Sequence, residues 1–471
     1  MKIFHLTKTL AGGGGVYTSR LSEALRRTGV ESRVLSLDDG SLIPPDGLVG
    51  QIFNRHDWAL SGMIHRRSRG TVLSYHRRQI WNPEVEIQGD DIVHLQSITG
   101  FIGDRGLRHL LRNRPRVFWT AHNPWLFTGG CVAYAGCDRF ESGCGKCPLL
   151  KFPLEGWTKL ELKAKVKFWR DYGVKPIANS EWMAAMMRRS PLFEGMEIPV
   201  VPPIVDEVFK AKAESGNYRA EAQRRWDSFG NKENHETKRN EEAGLRPGSR
   251  AGASESDSLA SELADSPVSE SLTRSASIPA SSLDTSHSLP FIAPGVPKAR
   301  RFVVGMAARS LTDRGKGIQE FFARLPVDRA FAKETTFVLI GDGKIRVPAG
   351  LDCRLPGHVD SAERLAEMYR SLDLFVSASA METFGMAILE AQACGTPVVA
   401  FETGGTPEAV CPAGSKLVRN RDWSGLFREV EEMFERAVKG GGKNHALSDW
   451  VASRHSCQKI VEKQIMVYTH I

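Results

Sequence analysis

Short apolar runs separated by amphipathic stretches dominate the first 209 residues. Six runs have the length and apolar character of buried strands: residues 2–7, 32–37, 91–96, 116–121, 175–178 and 198–201. Glycines at 12–15 follow the first run, then come apolar positions at helical spacing, and Gly29 marks the predicted helix end. Strands that alternate with helices predict a parallel sheet covered by helices on both faces.

The same alternation resumes at Arg301. Strands are predicted at 302–307, 336–341, 352–355, 372–378 and 397–401, and helices from about 317, at 361–370 and at 384–394. The tail from Trp423 is predicted to be helical throughout, with a glycine break at 440–442. Two doubly wound halves place ligands in the cleft between them, at the carboxyl ends of their strands.

The segment between these halves has a different composition. From about residue 215 the chain is rich in Ser, Ala, Glu, Asp and Arg and poor in large apolar side chains. Such a segment buries too little apolar surface to offset the entropy of ordering it. We therefore predict an N-terminal domain at 1–209, a disordered insertion at 210–300 and a C-terminal domain at 301–471.

Composition and charge narrow the class of protein. The 471 residues carry a net charge of +8, with 41% hydrophobic and 25% charged positions, as in a globular protein. This charge favours anionic partners, but without a nucleic-acid motif we interpret it as a solvated basic surface. No run approaches the ~20 apolar residues of a spanning helix, and no signal peptide is evident, so we expect a cytoplasmic protein with reduced cysteines.

The segment METFGMAILEAQACGTPVVAFETGGTPEAV, residues 381–410, carries the sharpest chemical signal. Glu382 and Glu390 are predicted to lie at a strand end and two turns into the following helix. Thr383, Phe384, Gly385 and Met386 would form the helix start, where free amides favour phosphate. A carboxylate within the helix can bind a ribose diol, and the first carboxylate can meet sugar hydroxyls. Spaced glutamates alone also fit an ordinary amphipathic helix.

This segment resembles the donor-binding motif of glycosyltransferase family 4, which has the GT-B fold of two Rossmann-like domains facing across a cleft. The resemblance extends to VVGMAARSLTDRGKGIQEFF (303–322), where Arg309 and Lys316 match a basic pair against the donor diphosphate. Arg314 is an alternative to Lys316. The resemblance also places the loop at His358 and Val359 near the nucleotide base.

The N-terminal half extends the resemblance. Gly13, Gly14 and Gly15 match a loop that approaches the donor phosphates, although a close-packed turn explains the glycines equally well. The block at 119–148 resembles transferases of polysaccharide biosynthesis, including the colanic-acid type. There, His122 matches a histidine near the transferred sugar, with a structural histidine as the alternative, and Asn123 replaces a common Asp.

Four cysteines lie in this block with the spacing C-x5-C-x6-C-x2-C: Cys131, Cys137, Cys144 and Cys147. They could supply the tetrahedral ligands of a structural zinc that folds the loop. Two disulfides and reduced packing thiols are the alternatives, and a reducing cytosol disfavours the disulfides.

The resemblance implies a retaining transfer from a nucleotide-diphosphate sugar. The sequence contains no Asp-x-Asp, so we expect no catalytic metal, with charge on the leaving group met by cations and helix termini. The expected acceptor is a glycan or lipid-linked glycan, with a peripheral position at the inner face of an anionic membrane and no nucleic acid. The alternatives are a binding or scaffold protein without turnover and a GT-B sugar-nucleotide epimerase.

Overall fold

The computed structural model describes residues 2–43, 82–99, 102, 104–134, 136–151, 154–211, 301–439 and 444–470. The predicted insertion at 210–300 therefore lies almost entirely outside the described residues, as does the glycine break at 440–442.

The N-terminal domain is built on a five-stranded parallel sheet. The strands of this half are β1 Ile3–Leu6, β2 Ser32–Leu35, β3 Leu42–Ile43, β4 Asn82–Pro83, β5 Ile92–Leu95, β6 Arg116–Ala121 and β7 Lys175–Ala178. Five of them form the sheet in the order β2-β1-β5-β6-β7, and β3 and β4 form a separate, small antiparallel pair. The predicted strand at 198–201 forms only a single bridge, between Ala178 and Val200.

Among the described residues of this half, four α-helices accompany the sheet: α1 Gly12–Arg27, α2 Asp104–Leu110, α3 Trp157–Tyr172 and α4 Glu181–Arg188. The prediction of a glycine loop before α1 is wrong, because the glycines form the first turn of the helix itself. Helix α1 passes so close to the preceding loop that a Cβ on Gly15 would lie 2.3 Å from the Thr9 carbonyl oxygen. Glycine is needed there for close packing rather than for a loop conformation.

The C-terminal domain has a six-stranded parallel sheet in the order β10-β9-β8-β11-β12-β13. Its strands are β8 Phe302–Ser310, β9 Thr335–Asp342, β10 Asp352–Gly357, β11 Leu374–Ser377, β12 Val398–Glu402 and β13 Lys416–Arg419. The edge strand β13 was not predicted, because its four residues alternate between exposed and covered positions and carry two charges. Its partner β12, by contrast, is a buried apolar run.

Eight α-helices follow or connect these strands among the described residues of this half. They are α5 Ile318–Arg324, α6 Ala330–Lys333, α7 Ala362–Ser371, α8 Met386–Ala393, α9 Thr406–Ala409, α10 Trp423–Val438, α11 His445–His455 and α12 Cys457–His470. Short 3-10 helices lie at Pro124–Phe127, Asp138–Ser142, Pro191–Phe193, Glu207–Phe209 and Arg314–Lys316. No helix in the described part of the chain is both long and apolar enough to span a bilayer.

The chain crosses between the two halves more than once. Val205 and Phe209 pack into the core beneath the C-terminal sheet. Helix α12 returns to the N-terminal sheet, where Ile460 and Tyr468 pack in one cluster with Tyr17. The domain bounds at 209 and 301 stay predictions. They did not include the packing of α12 on the N-terminal sheet, because strand–helix order does not reveal which sheet a terminal helix covers.

Candidate functional site

A cleft of about 830 Å³ opens where the carboxyl ends of the two sheets face each other. It gathers groups from both halves of the sequence, including every predicted donor-site residue except Gly15. The predicted residues that line it are Gly13, Gly14, His122, Arg309, Lys316, His358, Val359, Glu382, Thr383, Phe384, Gly385, Met386 and Glu390. Gly15 packs behind the cleft against Thr9 and Leu10.

The start of α1 forms one wall. Asp38 holds the turn before the helix by accepting hydrogen bonds from Thr9 Oγ1 at 2.6 Å and from the Leu10 amide at 2.8 Å. A Cβ on Gly14 would lie 2.9 Å from the Ser97 side chain and 3.7 Å from the His122 ring. A Cβ on Gly13 would meet nothing within 4 Å. In the described part of the chain no side chain of Ala11 caps this helix, so the wall is a bare helix start whose first-turn amides favour an anion.

Two cations face this helix start from the C-terminal domain. Arg309 lies at the end of β8, and its Nη1 would be 3.9 Å from a Cβ on Gly12. Lys316 donates a hydrogen bond from Nζ to Glu382 Oε1 at 2.6 Å. Burial lowers the pKa of Lys316, but the carboxylates of Glu382 and Asp313 raise it more, so the net pKa lies above its ordinary value. Arg314 is not among the residues that line the cleft.

Glu382 lies in the loop that follows β11, and α8 begins four residues later at Met386. The helix start was therefore predicted three residues too early, at Thr383 instead of Met386. Glu390 lies one turn into the helix rather than two. Gly404 and Gly405, here called the GG pair, fix the position of Glu382. The Gly405 amide donates a hydrogen bond to the Glu382 carbonyl oxygen at 2.9 Å. A Cβ on Gly404 would lie 1.9 Å from the same oxygen, which leaves room for glycine only.

Glu390 is buried, with 5% of its surface exposed, and it is paired across the two halves. Arg20, two turns into α1, donates from Nη2 to Glu390 Oε1 at 2.7 Å and from Nε to Asp206 at 2.8 Å. Burial raises the pKa of Glu390, and Arg20 opposes that rise by stabilising the carboxylate. The predicted ribose-binding acid thus has an arginine partner on the opposite wall.

His122 directly follows β6, as predicted. Its Nε2 lies 2.7 Å from Gln96 Oε1. The rings of His122 and Tyr17 make a T-shaped contact, with their centroids 4.8 Å apart. Burial lowers the pKa of His122 to about 4, so the ring is neutral at pH 7.

The neighbouring Asn123 has a local structural role. Its side-chain oxygen accepts a hydrogen bond from the Trp125 amide at 3.0 Å and caps the 3-10 helix Pro124–Phe127. An amide oxygen can make this contact as a carboxylate would. At the other end of the cleft, His358 Nε2 lies 3.1 Å from Asp360 in an exposed loop, and Val359 is buried.

The four cysteines of the 131–147 loop are all free thiols. Burial first, and then the thiols of Cys147, Cys144 and Cys137, raise the pKa of Cys131 to about 12. The Gly129 amide donates to Cys144 Sγ at 3.2 Å. Within the described residues, however, no three His, Cys, Asp or Glu side chains form a group that could hold a metal ion. The zinc site stays a prediction.

Comparison with family models is consistent with this geometry. The model of the family described as "Glycosyltransferase Family 4" matches residues 11–209, and the model described as "Glycosyl transferases group 1" matches residues 301–436. Together the two matches cover more than half of the chain and both walls of the cleft. The chain belongs to the family-4, group 1 glycosyltransferases. The two matches confirm the family predicted from the motifs at 303–322 and 381–410.

Curated relatives of this glycosyltransferase match over shorter segments. The D-inositol 3-phosphate glycosyltransferase of Mycobacteroides abscessus is 34% identical over 139 residues, which cover 29% of this chain and 26% of that protein. The protein of the same name from Mycolicibacterium smegmatis is 35% identical over 137 residues, 28% of this chain and 30% of its own length. The matched segment thus spans less than a third of each of these relatives.

Solved structures confirm the GT-B fold. HepE from Anabaena, in complex with UDP and glucose, aligns over 100% of both chains with a TM-score of 0.52 and 14% identity. Sucrose-phosphate synthase from Thermosynechococcus elongatus has a TM-score of 0.55 and 14% identity over 99% of this chain and 98% of its own. At this identity the likeness is one of fold.

Sequence reasoning missed several polar groups at the cleft and directly behind it. Arg20 was detectable in principle, because it lies seven residues after Gly13 and so on the same face of α1. Gln96 and Asp206 gave no comparable signal. Gln96 is the residue directly after β5, and Asp206 lies in an irregular segment. Their roles follow from contacts between residues distant in sequence.

Proposed function

We propose that this protein transfers a sugar from a nucleoside diphosphate sugar to an acceptor hydroxyl, with retention of anomeric configuration. One observation carries the proposal: the acids Glu382 and Glu390, the cations Arg309 and Lys316 and the bare start of α1 all line a single cleft. HepE, which shares the fold, was solved with UDP-glucose, and this supports the donor class.

The diphosphate is proposed to lie between the start of α1 and the two cations. As the bond between the anomeric carbon and the phosphate oxygen breaks, its electron pair stays on the diphosphate. Arg309, Lys316 and the amides at Gly13 and Gly14 stabilise that charge electrostatically, without a catalytic metal. The acceptor oxygen then bonds to the anomeric carbon on the face that the diphosphate leaves, and its proton passes to the leaving diphosphate.

The two acids orient the donor in this scheme. Glu382, which is held by the GG pair and lies beside Lys316, binds hydroxyls of the sugar. Glu390 binds the ribose, and Arg20 opposes the rise in pKa that burial causes, which favours the carboxylate form that accepts hydrogen bonds. His358 and Val359 are proposed to contact the nucleotide base, since they line the same cleft on the C-terminal side.

The acceptor is proposed to be a glycan or lipid-linked glycan of cell-surface polysaccharide synthesis, bound at an anionic membrane face. Helix α3 supports the membrane contact, because four of its basic residues lie exposed along one stretch beside Leu160, which is 57% exposed. They are Lys159, Lys163, Lys167 and Arg170. Such residues are attracted to anionic lipid with about 1 kcal/mol each. Binding to anionic but not neutral liposomes, reversed by salt, tests this part alone.

The main experiment incubates the purified chain with a panel of UDP-, GDP- and ADP-sugars and lipid-linked or soluble acceptors. Proton NMR of the product reports the anomeric configuration, and a parallel reaction with EDTA tests the need for a metal. Donor binding by calorimetry without any transfer or hydrolysis would instead favour the scaffold alternative. An inverted product, or activity abolished by EDTA, would overturn the corresponding part of the proposal.

The zinc prediction has a separate test. Elemental analysis of the purified protein should find about one zinc per chain, and Cys144→Ser should lower that content, whereas Cys353→Ser outside the loop should not. Metal-free protein with four titratable thiols in the loop would favour the reduced packing thiols.

A further inference from the structure

A hydrogen-bonded chain of neutral side chains runs behind His122 to the C-terminal helix. Gln96, only 2% exposed, lies at its centre, with Oε1 2.7 Å from His122 Nε2. The amide nitrogen of Gln96 lies 3.1 Å from His94 Nδ1 and 3.3 Å from His5 Nδ1. The Tyr468 hydroxyl of α12 lies 2.6 Å from the same His94 nitrogen. None of these groups except His122 lines the cleft.

The direction of these hydrogen bonds is determined at the far end of the network. The Val201 carbonyl can only accept, so the Tyr17 hydroxyl donates to it, at 3.3 Å. Thr120 then donates to the Tyr17 oxygen, and the Thr120 oxygen accepts from His94 Nε2 at 2.7 Å. His94 is therefore protonated on Nε2.

The next step leads from His94 to Gln96. Burial lowers the pKa of His94 well below its ordinary value, and the neighbouring rings of His5 and His122 lower it further. A neutral His94 protonated on Nε2 has its lone pair on Nδ1, which accepts from the Gln96 amide nitrogen and from Tyr468. The amide nitrogen of Gln96 thus faces His94, and its oxygen faces His122.

We propose that Gln96 is a positioning residue for the transfer reaction, because its side-chain oxygen holds the proton of His122 on Nε2 and leaves the imidazole lone pair on Nδ1. This inference rests on the proposed function and names the chemical form in which His122 acts. His122 meets the substrate as a neutral hydrogen-bond acceptor for a sugar or acceptor hydroxyl. It is not a cation, and it donates no proton to the leaving diphosphate.

The surroundings of His122 keep this form over the ordinary pH range. Tyr17 on α1 contacts its ring, and His5 on β1 and His94 on β5 are linked to it through Gln96. Burial raises the pKa of Tyr17 and lowers the pKa of His5 and His94, so all three are neutral at pH 7. The charged groups that line the same cleft are Asp38, Arg20, Asp206, Arg309, Lys316, Asp360, Glu382 and Glu390. In the described residues none of these carboxylates is hydrogen-bonded to the His122 ring, and burial is the cause that lowers its pKa.

The direct test is long-range proton–nitrogen NMR of the full chain labelled with ¹⁵N-histidine, with the His122 signals assigned by their loss in His122→Asn. At pH 7 the wild type should show a protonated Nε2 and an unprotonated Nδ1. Gln96→Met, which keeps the volume but removes the acceptor, should produce a mixture of both tautomers. A wild-type His122 protonated on Nδ1 would overturn the proposal.

The chain offers a matched control for loss of a buried amide. Gln464 on α12 is fully buried, and its side chain has no hydrogen-bond partner among the described residues. Gln464→Met should leave the His122 signals unchanged, and thermal melts would confirm that both variants are folded. If Gln464→Met changed the tautomer as much as Gln96→Met, the effect would be one of general packing, and the assignment to Gln96 would fail.

Kinetics supply the functional arm. Gln96→Met should lower kcat roughly tenfold, the size of one lost hydrogen bond, with little change in KM for the donor. Gln96→Glu should raise the pKa of His122, because a carboxylate stabilises the imidazolium, so activity should fall at acid pH where the wild type is flat. An unchanged pH profile for Gln96→Glu would contradict the inference. Absence of transfer by the wild type would instead contradict the proposed function and leave the NMR result standing.

Discussion

The two walls of the cleft hold their polar groups by different means. Behind the N-terminal wall, neutral side chains are buried and joined by directed hydrogen bonds, from Tyr468 through His94 and Gln96 to His122. The C-terminal wall presents charges, with Lys316 paired to Glu382 and Glu390 paired to Arg20 of α1. The difference matches two parts of the proposed chemistry: the neutral His122 orients a hydroxyl through a hydrogen bond, and the cations Arg309 and Lys316 balance the charge of the departing diphosphate.

Removing Arg20 should have the largest effect on stability. Arg20→Met leaves Glu390 buried without its partner, which should cost about 3 kcal/mol of unfolding free energy in denaturant melts. The double variant Arg20→Met/Glu390→Met should recover most of this loss, yet bind donor weakly in calorimetry because the ribose contact is gone.

Arg27→Met is the matched control, since Arg27 belongs to an exposed pair with Glu23 on the same helix. It should change stability by less than about 0.5 kcal/mol. Wild-type donor affinity in the double variant would remove Glu390 from the binding site and weaken the contrast between the walls.

Loss of the Lys316 cation should have the next largest effect. Lys316→Met should lower kcat by roughly 100-fold, as expected for a group that stabilises charge in the transition state. Lys344→Met makes the same change at an exposed position outside the cleft lining and should leave kcat near that of the wild type. Equal rates for the two variants would show that the charged wall does not act on the leaving group.

The neutral wall should make the protein sensitive to acid. Burial lowers the pKa of His5 to about 3 and that of His122 to about 4, below the ~6.5 of an unfolded histidine. The unfolded chain therefore binds more protons below pH 6.5, and stability is lost as the pH falls from 6.5 through about 4. For His5 alone this amounts to roughly 2 kcal/mol at pH 5.

Melting temperatures measured between pH 7 and pH 5 test this expectation. The wild type should lose stability across this range, and His5→Gln, which cannot titrate, should lose less. A melting temperature of His5→Gln that falls as steeply as that of the wild type would show that the buried histidines do not set the acid response.

The smallest expected effect concerns the start of α1 on the N-terminal wall. Gly13→Ala places its Cβ in open space and should raise stability by up to about 1 kcal/mol through helix propensity. Gly15→Ala, two residues on, drives its Cβ against the Thr9 carbonyl and should destabilise the fold. Changes of opposite sign in the unfolding free energies of the two variants, measured in denaturant melts, would support the packing of α1. Changes of equal sign would contradict it.

The local patterns in the sequence were sufficient for most of the fold. Buried parallel strands such as β8, β9 and β12 are continuous apolar runs and were predicted within a few residues. The edge strand β13 and the helical glycines at 12–15 were not, because edge strands need less apolar content and glycine has a poor helix propensity. The E-x7-E spacing predicted the two acids, and the resemblance to family 4 predicted the basic pair and His122.

The sequence by itself determined the two acids, the basic pair and His122 as candidates, because each lies in a local motif beside a predicted strand or helix. Only the tertiary structure decided their partners: Arg20 for Glu390, Gln96 for His122, and Tyr468 for His94 across 374 residues. The physical reason is that burial and pairing depend on which elements pack together. The return of α12 to the N-terminal sheet is such a contact, and no local period in the chain encodes it.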